Sequence, residues 1–109
     1  MYIDSHSLLA QLGYHENEAT LKQMDKIISN TKEFDKFSKH ILSLLDHIKH
    51  TNSIIAMSNS NDFLKIKFEG NSPELLDEFQ QITKAWAEKY NISLQKVPKK
   101  EVFYILGTK

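Results

Sequence analysis

The spacing of apolar residues changes near Thr51. Upstream, Met24, Ile27, Phe34, Phe37, Ile41, Leu44 and Ile48 recur by threes and fours, which places them on one face of an α-helix. Downstream, residues 63–69 alternate. Leu64, Ile66 and Phe68 fall on one side, and Phe63, Lys65 and Lys67 on the other, as successive side chains of a strand do.

Local signals divide the first half into helices. Residues 5–12 predict a short helix, capped by Asp4 or Ser5, with Leu8, Leu9 and Leu12 on its apolar side. Gly13 is its natural stop, because glycine accepts the left-handed conformation that ends helices. A second helix begins near Glu16, where Glu16 and Glu18 suit the positive end of the helix dipole. The stretch Ser29-Asn30-Thr31 allows two outcomes. Asn30 and Glu33 sit at the spacing of a capping box, which gives helices over 16–29 and 31–50. The apolar phase runs through Thr31 without a slip, which favours one continuous helix of about ten turns.

The second half reads as ββαββ. A short strand over 54–57 and the strand over 63–69 flank Ser58-Asn59-Ser60-Asn61-Asp62, whose small polar side chains favour a turn, so the two form a hairpin. Ser72 caps a helix with Pro73 at its first position, where the missing N–H is harmless. Leu75, Phe79, Ile82, Trp86 and Tyr90 give that helix its apolar face, and Asn91 ends it. Strands over 92–97 and 102–106 follow, joined by a loop at 98–101. Phe103 and Tyr104 point to opposite faces, so one of them lies away from the core. The class is α+β. An N-terminal helical arm of two or three helices (1–50) precedes a ββαββ module (53–109) with an antiparallel four-stranded sheet and one covering helix, all within one domain.

Length then bears on assembly. A chain of 109 residues with 40% hydrophobic content builds a modest core, and short strands offer little area to cover so long an apolar stripe. The expectation is self-association, most simply a homodimer, with Met24, Ile27, Phe34, Phe37, Ile41, Leu44 and Ile48 at the interface. On this reading the protein is a small, non-enzymatic interaction protein.

Charge and composition remove several alternatives. Fourteen lysines balance fourteen carboxylates, and there is no arginine. A nucleic-acid binder usually carries a positive excess, and arginine makes the bidentate base contacts. There is no cysteine, which removes disulfides, thiolate metal sites and cysteine nucleophiles and fits a reducing compartment. The opening Met-Tyr-Ile-Asp-Ser-His lacks the basic region and apolar run of a signal peptide, and no stretch approaches the roughly 20 apolar residues of a membrane span. A cytoplasmic location is expected.

Few residues point to chemistry. Glycines stand only at 13, 70 and 107, so no phosphate-cradling loop is present, and no cofactor is expected. No serine sits in a Gly-x-Ser-x-Gly elbow. His47 and His50 share a helix face and are the weak metal candidates. His40 lies about 10 Å from His47 by helical rise, too far to join them on one ion, and zinc needs further protein ligands. Solvated helix histidines are the simpler account. The carboxylates Asp77, Glu78 and Glu88 fall on or near the wet side of their helix, and no sequence pattern locates an apolar pocket for acid–base chemistry. One further surface stands out. Phe63, Lys65 and Lys67 share a strand face, and Lys96, Lys99 and Lys100 decorate the last hairpin. Aromatic and basic side chains on a sheet hold single-stranded nucleic acid, although lysines on a strand also guard against edge aggregation.

Overall fold

A computed structural model describes residues 5–58 and 61–109. Helix α1 (Ser5–Gln11), α2 (Glu18–Asn30) and α3 (Phe34–Ile48) lead through a short 3₁₀ turn at Lys49–Thr51 into β1 (Ser53–Met57) and β2 (Leu64–Phe68). Helix α4 (Pro73–Lys89), β3 (Ile92–Lys96) and β4 (Val102–Thr108) complete the chain. The four strands form one antiparallel sheet in the order β1-β2-β4-β3. The expected α+β class and the ββαββ order are both present. No helix among the described residues is long and apolar enough to cross a membrane.

The helix ends follow local chemistry. Gly13, at φ +85°, closes the turn after α1, and the Tyr14 N–H donates to the Leu9 carbonyl at 3.0 Å. Asp4, the other capping candidate for α1, lies outside the described residues, as do Asn59 and Ser60 of the expected turn. Asn17 caps α2 in a reciprocal box with Thr20. Its side chain accepts from the Thr20 N–H at 2.9 Å, and Thr20 Oγ1 accepts from the Asn17 N–H at 3.0 Å. Ser72 caps α4, and Pro73 occupies the first turn, as read from the sequence.

The continuous helix does not form, and the reason lies at the other end of the chain. Lys32 leaves the helical path to form a parallel bridge with Gly107. Its N–H donates to the Leu106 carbonyl at 3.3 Å, and its carbonyl accepts from the Thr108 N–H at 3.2 Å. Glu33, at φ +56°, turns the chain into α3. The apolar phase survives this break because α2 and α3 face the same core. Thr31 is buried beside them and donates its hydroxyl to the Ile27 carbonyl at 2.7 Å.

The helices lie on one side of the sheet. Ile55, Met57, Leu64, Ile66, Phe103, Ile105 and Ile92 are buried there. More than one helix covers them: α4 packs on β3, α3 packs on β1 and on α4, and α2 reaches β1. Phe79 of α4 sits between Phe68 and Phe103, with ring centroids at 5.6 and 6.2 Å. Leu8 and Leu9 of α1 belong to the same core cluster, so the N-terminal helices pack against the ββαββ module and share its core. Burying side chains of this size contributes about 1.5–3 kcal/mol each before entropy is subtracted.

Candidate functional site

The other side of the sheet carries no helix among the described residues. Strand register fixes what it displays. Ile54, Lys67 and Val102 form one row across β1, β2 and β4. Ala56, Lys65, Tyr104 and Gln95 form the next, reaching β3. Phe63, just before β2, continues the ladder by accepting the Ser58 N–H at 3.1 Å. Its ring lies 6.4 Å from that of Tyr104, centroid to centroid, at 36°. Ile54 is the exposed large hydrophobic residue of this face.

A cavity of about 160 Å³ opens on this face, lined by Lys65, Lys67, Lys100, Val97, Val102 and Tyr104, with Ser58 at its edge. The Lys67 ammonium has one carboxylate neighbour, Glu69 at 3.6 Å. A larger cleft of about 590 Å³ begins around the same corner, between the start of α4 and the last hairpin, and shares Lys67, Lys100 and Val102. The cap hydroxyl of Ser72 in that cleft accepts from the Leu75 N–H at 3.4 Å, and the two spaces meet at Lys67 and Lys100.

The structure therefore gathers four of the six residues read as a basic and aromatic surface: Phe63, Lys65, Lys67 and Lys100. Lys96 falls opposite Phe103, on the helix-facing row, and its ammonium donates to the Lys100 carbonyl at 2.9 Å. Lys99 sits at the hairpin tip with φ +64°. Tyr104 joins the site without having been singled out. Its signal was the Phe103/Tyr104 alternation, which sends one ring outward without saying which.

Neutral net charge conceals segregation along the chain. The sheet-forming segments 53–69 and 92–109 hold six lysines against three carboxylates, and the remainder holds eight against eleven. The helical layer is thus the acidic part and the sheet the basic part. Fields from such segments act locally whatever the total charge.

The residues read as a dimer interface need correction. Met24, Ile27, Phe34, Phe37, Ile41, Leu44 and Ile48 are each at most 2% exposed within one chain. Helices α1 and α4 and the inner sheet face supply the cover that the strands alone could not. These seven side chains are the core, and none presents a surface to a second copy.

The histidines are separately engaged. His47 meets the Ser43 carbonyl through Nδ1 at 2.7 Å, and His50 Nε2 meets Glu78 Oε1 at 2.8 Å. Among the described residues no group of three or more His, Cys, Asp or Glu side chains is placed to hold a metal ion. His40 stacks on Tyr90 with centroids 3.7 Å apart and rings at 14°, and Trp86 donates its indole N–H to the His40 carbonyl at 2.9 Å. Burial, helped by the nearby Lys39 and Lys89 charges, pushes the His40 pKa below its usual 6.5. A groove of about 290 Å³ beside this stack is lined by Leu44, His47, Ile82, Trp86 and Tyr90 among others. It is the seam where α3 and α4 pack. At the helix break, hydrogen bonds from Lys36 and from the Thr108 hydroxyl, with the Lys36 charge, hold the Glu33 carboxyl below its usual range.

No protein-family model, no curated protein and no solved structure matches this chain.

Proposed function

We propose that this is a non-enzymatic binding module that holds single-stranded nucleic acid on the helix-free face of its sheet. The observation that carries this reading is the convergence of Lys65, Lys67 and Lys100 with Tyr104 on one cavity, beside the half-exposed ring of Phe63. Ammonium groups attract backbone phosphates, and aromatic rings accept bases without regard to sequence. The absence of arginine fits a site that grips phosphate and does not read base edges. A cysteine-free chain with this role suits a reducing, cytoplasmic setting.

Salt-dependent titration of a labelled oligothymidine strand tests the reading. Each backbone phosphate neutralised contributes about −0.7 to the slope of log affinity against log salt for a single strand. Replacing Lys65, Lys67 and Lys100 together by Gln flattens that slope while the circular dichroism of the fold stays unchanged. Absence of binding at about 50 mM salt overturns the proposal. So does a slope that the triple variant leaves intact, or a solution mass of two chains with this face protected between them.

A further inference from the structure

We infer that the open face is a two-part site, in which Lys65, Lys67 and Lys100 surround one phosphate and the Phe63 ring receives the adjoining base. This inference rests on the nucleic-acid reading above and specifies its footprint.

Size separates the two parts. The cavity among the lysines measures about 160 Å³, close to the liquid volume of about five water molecules. A phosphate group has a phosphorus and four oxygens and fits such a space. A sugar with its base does not. The base attached to a phosphate held there extends past the cavity, towards the flat apolar surface that adjoins it.

Register identifies that surface. Lys65 stands directly opposite Tyr104, which lines the cavity and also meets the Phe63 ring. Phe63 is two residues from Lys65 on the same strand side, about 6.6 Å by strand rise, comparable with the span of one sugar between its phosphate and its base. The ring of Tyr104 thus bridges a charged half and a stacking half. On the far side of the lysines the face offers Ile54, Val97 and Val102, which are aliphatic and provide no second ring to stack on. The footprint is accordingly short, one gripped phosphate and one stacked base within about two nucleotides. Longer strands add chiefly more ways to bind. The contact is indifferent to base identity, because every base has a π-face.

Two kinds of ligand and two kinds of variant separate these parts. Affinity for oligothymidines is expected to climb steeply up to about two or three nucleotides and thereafter only in proportion to the number of registers. An abasic deoxyribose-phosphate strand of equal length keeps the salt slope but binds about tenfold more weakly, the loss of one stacked base. Phe63→Leu weakens the oligothymidine by a similar factor, leaves the slope unchanged and does not affect the abasic strand. Lys100→Gln weakens both strands by the same factor and makes their slopes shallower, by at most about 0.7. Equal affinity for abasic and oligothymidine strands overturns the two-part site, as does affinity that keeps rising steeply with length. Either result leaves binding itself standing. Failure of both strands to bind at low salt overturns the nucleic-acid reading and this inference together. The abasic comparison uses the unaltered protein, so it decides the question even where Phe63→Leu disturbs the fold.

Discussion

Lys32 and Gly107 are paired backbone to backbone, and no side chain fits between them. A Cβ on Gly107 would stand 2.5 Å from the Lys32 nitrogen and 2.6 Å from its oxygen, and Gly107 has φ +129°. The first conflict cannot be relieved by rotating a side chain. The second is a conformation that L residues rarely adopt. Gly107→Ala is therefore expected to destabilise the protein by at least about 2 kcal/mol, read as a lower urea midpoint. The bridge strand and the α2–α3 break loosen together, which hydrogen exchange at the Lys32 and Thr108 amides would show.

Among the described residues, two buried hydroxyls lack hydrogen-bond partners: Ser38 Oγ on α3 and Thr83 Oγ1 on α4, both 0% exposed. A buried hydroxyl without a partner costs about 1–3 kcal/mol. Ser38→Ala and Thr83→Val remove the polar atom while keeping most of the volume. Each is expected to leave stability unchanged or raise it by about 1 kcal/mol, seen as a higher thermal midpoint. A loss would indicate that the hydroxyl has a partner after all, such as buried water.

The apolar stripe of the N-terminal half is expected to behave as a core. Phe37→Ala and Phe79→Ala should each cost about 3–5 kcal/mol in equilibrium unfolding. Ile41→Val should cost about 0.5–1.5 kcal/mol. Equilibrium denaturation checks all three, and the midpoints should not depend on protein concentration, because these side chains are sealed within one chain.

His40 makes stability depend on pH. Its pKa is lowered in the folded protein by burial and then by the Lys39 and Lys89 charges, so the unfolded chain binds the proton more readily. Stability from this group is complete above its usual value near 6.5 and falls as the pH drops through that value towards the lower folded one. The urea midpoint is expected to fall between about pH 7.5 and about pH 5.5. His40→Gln, which keeps the bulk without the titration, should reduce that fall. An identical decrease in the variant would assign the pH dependence to other groups.

Sequence and structure agree where a signal is local. Ser72-Pro73 starts α4, Gly13 stops α1, and the Leu64/Lys65/Ile66/Lys67 alternation puts its lysines on the outer face. Disagreement arises where distant segments decide the outcome. The break after Asn30 goes with a bridge to Gly107; the Asn30/Glu33 spacing allows a break there, while the apolar phase favours continuity. The fate of the Phe37 stripe depended on whether α1 and α2 fold back onto the sheet, a question of tertiary packing that helical periodicity leaves open. In the candidate site, the lysine pattern of β2 was visible. Adding Tyr104, bringing Lys100 to the β2 lysines and setting aside Lys96 required the β2–β4 register, which links strands separated by a whole helix, and the β3–β4 register across their hairpin.

The strand order has a consequence for synthesis. Strand β4 is made after β1, β2 and β3, yet it lies between β2 and β3 and also receives Lys32. Until residues 102–108 emerge, β3 lacks its pairing partner, β1 and β2 form only a two-stranded hairpin, and the inner surfaces of α3 and α4 have half a sheet to rest on. A nascent chain halted before Val102 should therefore remain protease-sensitive throughout, a suitable client for holding chaperones, and acquire resistance in a single step once the seven residues of β4 are available.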